Sequence, residues 1–231
     1  MKALGRWFKR VALALILLAL LWQGWYFGWV VWWKYADPGM THFMQIRLDE
    51  LRLKNPKAQL KHQWQPYERI SVQLKRAVIA AEDDKFVDHE GFDWDGIQLA
   101  YEKNKKKGKI VAGGSTISQQ LAKNLFLSTK RTPWRKGEEA LITLMLEETM
   151  DKQRIFEIYL NVIEWGDGVF GAEAAARHYY DISAAQLSPE QAAKLAAMVP
   201  NPRYYDRHRE APGMLAKTLV ILERMSDAEI P

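Results

Sequence analysis

Between Ala81 and Trp94 the chain gathers Glu82, Asp83, Asp84, Asp88, His89 and Glu90 in a stretch broken by Phe86, Gly91 and Phe92. An apolar, helix-like run, Val78-Ile79-Ala80-Ala81, leads directly into Glu82. A carboxylate where a helix leaves a core can be half buried, a setting suited to proton transfer. An acidic helix end above a solvated loop looks the same in sequence, so this stretch alone leaves both readings open.

A second concentration is Gly113-Gly114-Ser115-Thr116-Ile117-Ser118-Gln119-Gln120-Leu121-Ala122-Lys123-Asn124. Thr116 with Gln119 three residues on has the form of a capping box, approached through two glycines. Such a helix N-terminus offers backbone N–H groups and a positive dipole end, suited to phosphate. Gln119 and Lys123, four apart, share a face one turn away. An ordinary well-capped helix is the alternative. A Walker-type phosphate loop is excluded, because no glycine-lysine-serine/threonine closes the motif.

The third concentration follows Thr132-Pro133, a cap and a first-turn proline that predict another helix. Arg131, Arg135, Lys136, Glu138 and Glu139 cluster at its start. Arg135 and Glu139 are four apart and can pair, but spacing does not choose between Glu138 and Glu139 as the carboxylate facing a site. A surface ladder of ion pairs is the alternative. Two other patterns fail. Gly166-Asp167-Gly168-Val169-Phe170-Gly171 matches a dinucleotide fingerprint literally, yet a helical segment precedes it and no strand–helix alternation surrounds it. It is expected to shape a turn beside the cleft. A calcium loop built on Asp93, Asp95, Gly96 and Glu102 has Gly91 at its first position, which supplies no ligand.

The elements that must position these residues follow from patterning. Residues 11–33 carry no charge over 23 positions, enough to span a hydrocarbon core of about 30 Å. Trp22, Trp25, Trp29, Trp32 and Trp33 crowd its second half, as at a membrane interface. Lys2, Arg6, Lys9 and Arg10 precede it, predicting a cytoplasmic tail over residues 1–10 and an exported remainder. The run exceeds a signal-peptide core, and no small-x-small site follows before Lys34, so a retained anchor is expected. Residues 34–66, with Pro38, Pro56 and Pro66, read as a membrane-proximal connector. Its apolar positions from Met40 to Leu53 suit either the bilayer surface or a flap on the core.

From Tyr67 to residue 231 the pattern is one mainly α domain. Ile70, Leu74, Ala77, Val78 and Ala81 mark a helix face ending at Glu82. Ile97 to Tyr101 suggest a short helix running into a lysine loop, five lysines between Lys103 and Lys109, solvated or facing anionic lipid. Asp151 caps a helix to about Asn161, Ser188-Pro189 opens one to Val199 with Pro200 and Pro202 stopping it, and Ala211–Arg224 closes the chain. Net charge is +5, from 33 Lys+Arg against 28 Asp+Glu, which hints at an anionic partner. There is no cysteine, hence no disulfide or thiolate metal site.

Taken together, these blocks resemble the monofunctional biosynthetic peptidoglycan glycosyltransferases, or transglycosylases, relatives of the glycosyltransferase half of bifunctional penicillin-binding proteins. The resemblance covers about Tyr67 to Tyr205 plus the anchor. It is carried by Glu82, Asp83, Phe86, His89 and Gly91; by Gly114-Ser115-Thr116, Gln119-Gln120 and Lys123-Asn124; by Arg135-Lys136 with Glu139; by Tyr159-Leu160-Asn161; by Gly171, Ala174-Ala175 and Tyr179; and by Ala192 to Pro202. Arg207 departs from the pattern where a proline is expected, outside the chemistry. No transpeptidase domain follows, so penicillin binding is not implied.

The resemblance implies a lysozyme-like, mainly α fold behind a single transmembrane helix, in the bacterial cytoplasmic (inner) membrane with the domain periplasmic. It implies polymerisation of lipid II, in which the acceptor's 4-hydroxyl attacks the anomeric carbon of the lipid-linked glycan chain. A β-1,4 linkage forms and undecaprenyl diphosphate leaves. Glu82 is then the general base and Glu139 the second carboxylate, holding cations or a divalent metal such as Mg²⁺. Lys123, Arg131, Arg135 and Lys136 stabilise the diphosphate, with Ser115, Thr116, Gln119, Gln120 and Asn124 around the substrate. Asp83, Phe86, His89 and Gly91 support the active-site turn. Lipid II, the glycan chain, membrane lipids and cell-wall synthesis or division proteins are the implied partners, with no organic cofactor and no nucleic acid. A membrane-anchored muramidase, which also uses two carboxylates, and a non-catalytic lipid II-binding scaffold stay open as alternatives.

Overall fold

The computed structural model describes residues 2–109, 113–130 and 132–231, with side chains described from residue 6 onward. Helix α1 (Lys2–Trp33) contains a stretch, Arg6–Trp33, long and apolar enough to cross a membrane. Its second half is docked on the domain. Tyr26, Val30 and Trp33, spaced along one helical face, are buried, and Tyr26 and Trp33 pack on Phe126 at ring distances of 5.1 and 5.0 Å. The end of α1 is closed by Arg154, whose guanidinium donates to the carbonyls of Trp33 (2.9 Å) and Ala36 (2.8 Å) and to Asp37 (2.9 Å). A cation there satisfies carbonyls that no helical N–H can reach and meets the negative end of the dipole.

Helix α2 (His42–Lys54), capped by Thr41, buries Met44 and Leu48 against the domain. Of the two settings open for this segment, these side chains take the flap on the core. Arg47, also buried, pairs with Glu164 (3.0 Å), Asp167 (2.7 Å) and Glu50. Strand β1 (Lys61–His62) runs parallel to β3 (Val169–Phe170), which pairs antiparallel with β2 (Glu164–Gly166). The literal dinucleotide fingerprint is therefore a β2–β3 hairpin, which ends at Gly171 with φ +82°. A Cβ at Gly171 would lie 2.7 Å from the carbonyl oxygen of Asn161, so a glycine is needed there.

Helix α3 (Val72–Glu82) begins at the Ser71 cap, buries Leu74, Ala77 and Val78 completely, and packs on α9 (Pro189–Met198) and α11 (Pro212–Arg224). Helix α4 (Trp94–Lys107) is longer than the sequence suggested. The lysine run expected as a loop is mostly its final turns, where cations suit the C-terminal dipole, and Gly108 in the left-handed region ends it. Asp93, a candidate calcium ligand by spacing, is the α4 cap, accepting from Gly96 N–H at 2.9 Å.

Helices α5 (Ile117–Phe126), α6 (Pro133–Thr149) and α7 (Lys152–Val162) form the centre. From Ile155 to Val162 only Glu157 is not fully buried, and α5, α6 and α8 (Ala172–Tyr180) pack around this segment. Apolar contact all round identifies it as the core helix. Pro202, expected only to stop a helix, also opens one, α10 (Pro202–Arg207). The outcome is a mainly α fold with a small three-stranded sheet at its edge.

Candidate active site

Glu82 is the last residue of α3, and its side chain is 11% exposed. Gln120 Nε2 donates to Glu82 Oε2 at 3.0 Å, and the Tyr159 hydroxyl donates to Gln120 Oε1 at 3.0 Å. Because an ionised carboxylate only accepts, the amide must present N–H to Glu82, which leaves its oxygen to accept from the tyrosine hydroxyl. Tyr159 is completely buried. Burial first, then the charges of Glu82 and Asp83, push its pKa well above the ordinary value, so it stays a donor. From the other side Lys217 of α11 brings Nζ to 3.5 Å from Glu82 Oε1.

Asp83 points elsewhere. It receives the N–H of Ile117 at 2.8 Å and His89 Nε2 at 3.0 Å, while His89 Nδ1 accepts from Gly91 N–H at 3.1 Å. This network assigns the imidazole proton to Nε2. The Thr116 hydroxyl donates to the Gly91 carbonyl at 2.7 Å. Gly91 has φ +86°, and a Cβ there would sit 2.7 Å from Thr143 Cγ2. Phe86 is fully buried against Phe156, and Lys152 lies 4.6 Å from the Phe86 ring centroid while donating to the His89 carbonyl at 2.5 Å. Phe86, His89 and Gly91 thus touch the frame of the turn and not the cleft.

The same contacts correct one expectation about α5. Its capping box forms as the sequence predicts, with Thr116 Oγ1 accepting from Gln119 N–H and Gln119 Oε1 from Thr116 N–H. However, Ile117 N–H is taken by the Asp83 carboxylate, so the helix start is already neutralised by an internal anion. The cations of the cleft include the side chains of Lys123, Arg135 and Lys136.

Those cations line a cavity of about 640 Å³ with Ser115, Gln119, Gln120, Lys123, Arg135, Lys136 and Glu139 on its walls. Glu82 lines an adjoining cavity of about 310 Å³ that shares Gly113 and Ser115 with it. Glu139, 3% exposed, is the inward carboxylate: Arg135 Nη1 reaches Oε2 at 2.5 Å and Lys136 pairs with Oε1. Glu138 faces α1 instead, accepting from Trp22 Nε1 at 3.1 Å. Lys136 also approaches Ser115 Oγ at 3.4 Å. Lys123 forms no ion pair among the described residues, and its pKa is lowered from 10.5, by burial first, with Arg135 and Lys136 adding to that and Glu139 and Glu82 opposing it. Asn124 lines a neighbouring recess with Gln120, Lys123 and Asn201. Arg131, also expected among the cations, lies outside the described residues.

Glu139 does not fit a metal ligand in this arrangement. Both oxygens are engaged by cations, and among the described residues no three His, Cys, Asp or Glu side chains converge. Three site residues were missed in the sequence. Tyr159 was seen only as part of a motif, Lys217 comes from 135 positions away, and Arg203 reaches the cation cavity from the unanticipated α10. No spacing signal connects them, because tertiary packing alone brings them to the cleft.

A family profile described as Transglycosylase matches residues 49–226. The "Biosynthetic peptidoglycan transglycosylase" of Dechloromonas aromatica is 69% identical over 231 residues, all of both chains. The proteins of that name from Methylobacillus flagellatus and Laribacter hongkongensis are 67% and 64% identical. They cover 97% and 98% of this chain, and 98% and 99% of their own.

Proposed function

Since the chain belongs to the transglycosylase family and is a glycosyltransferase of peptidoglycan polymerisation, we propose that it transfers a lipid-linked glycan chain onto lipid II with Glu82 as the general base. The carrying observation is the Glu82 carboxylate, oriented by the Gln120–Tyr159 pair beside a cavity bearing Lys123, Arg135 and Lys136. A sugar hydroxyl is a weak nucleophile, so the acceptor's 4-hydroxyl gives its proton to Glu82 as it attacks the anomeric carbon. The anomeric C–O bond breaks and its electrons leave with undecaprenyl diphosphate. Negative charge then grows on the phosphate oxygens, where fixed cations in a partly desolvated cleft act most strongly. Glu139 holds Arg135 and Lys136 in place for that role. No step here uses a metal.

A muramidase would need a second carboxylate able to act on the sugar, and Glu139 is committed to its two cations. On this reading α1 spans the inner membrane, with its basic N-terminal residues cytoplasmic and the domain periplasmic. The test is polymerisation of labelled lipid II by the full chain in detergent. Wild type should give glycan chains and Glu82→Gln none, and normal chains from Glu82→Gln would sink the assignment of the base.

A further inference from the structure

Helix α2, which follows the anchor, places Phe43 on the wall of the cation cavity, and Arg203 of α10 borders the same cavity. Both also line the neighbouring recess that holds Lys123 and Asn124. Arg203 is joined to α2 through one carboxylate of β2. Glu164 Oε1 accepts from Arg47 Nε at 3.0 Å, and Glu164 Oε2 lies 3.9 Å from Arg203 Nε. Glu50 of α2 stands 3.7 Å from Arg203 Nη1. The Glu164 side chain is 4% exposed and that of Arg203 is 50% exposed, so the carboxylate is the fixed partner and the guanidinium the one that reaches out. A buried carboxylate is costly without a counter-charge. Arg47, itself buried and also paired with Asp167 at 2.7 Å, supplies it. An arginine half in solvent has many rotamers open to it, and carboxylates on one side narrow that choice.

We infer that Glu164 is a positioning residue of the cleft: secured by Arg47 of α2, it aims Arg203 at the anion held in the cation cavity. This rests on the diphosphate reading proposed above, which gives Arg203 an anion to meet. Neither Glu164 nor Arg47 borders the cation cavity, so both act through Arg203. Seating α2 on the domain then does more than bury Met44 and Leu48. It brings up the cation that secures Glu164, a second carboxylate beside Arg203, and the Phe43 wall. The helix between the anchor and the domain is thereby part of the machinery that shapes the cleft.

The experiment is a double-mutant cycle on the full chain in detergent, with Arg203→Ala, Glu164→Gln and the two combined. It is read by the retention of radiolabelled undecaprenyl diphosphate on the immobilised protein. Each single variant should retain the diphosphate about tenfold less well, and the double variant no worse than Arg203→Ala alone, a coupling that a merely structural Glu164 would not show. The same pattern should appear in KM for lipid II, because binding common to ground and transition states is what is lost. Arg203→Ala alters a half-exposed side chain, so its thermal midpoint should stay at the wild-type value. Glu164→Asp keeps the buried charge but shortens its reach, and should give the same coupling where Glu164→Gln lowers the thermal midpoint. Retention equal to wild type in either single variant, or a double variant that loses the product of the two single losses, overturns the inference. Coupled loss of retention in a protein whose wild type polymerises nothing would instead count against the polymerase reading and uphold the positioning role.

Discussion

At the scale of single residues, adjacent carboxylates have been given opposite duties. Asp83 is spent on the start of α5 and on His89, while Glu82 lines the cleft between Gln120 and Lys217. Removing the Tyr159 hydroxyl frees Gln120 to turn its amide. Tyr159→Phe should therefore lower kcat about tenfold with little change in KM and alter the acid limb of the pH–rate profile, and a kcat unchanged in steady-state assays would refute the positioning role. Lys123 makes a second prediction with a definite sign. Its pKa lies below 10.5, so it loses its charge at lower pH than an ordinary lysine. Binding of the diphosphate should weaken as pH rises through that lowered value and be retained at lower pH. Lys123→Arg should carry binding to higher pH, while Lys123→Ala should cost about 100- to 1000-fold in kcat at neutral pH. The Arg135–Glu139 pair and the Thr116–Gln119 box were legible because partners three or four apart on a helix must meet. The Glu82–Gln120–Tyr159 and Lys217 contacts were not, since separations of 38, 39 and 135 residues carry no local signature.

At the scale of elements, helix starts were read well because caps are local chemistry: Thr116, Thr132, Asp151 and Ser188 all cap as written. Helix ends and polar helices were read less well. The lysines of α4 have no apolar periodicity to mark them as helical, and Pro202 has the same sequence appearance whether it ends one helix or begins the next. The turn between α3 and α4 is the element on which the base depends. Gly91→Ala should be strained by its positive φ and by contact with Thr143, costing about 1–3 kcal/mol and seen as a lower thermal midpoint in detergent. Helix α2 depends on one buried cation. Arg47→Ala leaves Glu164 buried with its close partner removed, and a loss of about 3–5 kcal/mol is expected from denaturant unfolding.

At the scale of the whole molecule, sequence showed an anchor and a domain but not their junction, because the face of α1 that docks is as apolar as the faces that do not. Arg154 is the test of that junction. Arg154→Ala should uncap α1 and expose the segment from Lys34 to Thr41 to faster proteolysis, and unchanged cleavage would show the docking to be independent of it. With α1 in a bilayer, a docked junction sets the height and tilt of the cleft over the membrane plane. The domain then turns about the membrane normal only together with α1, so the cleft keeps one height above the headgroups whichever way it faces.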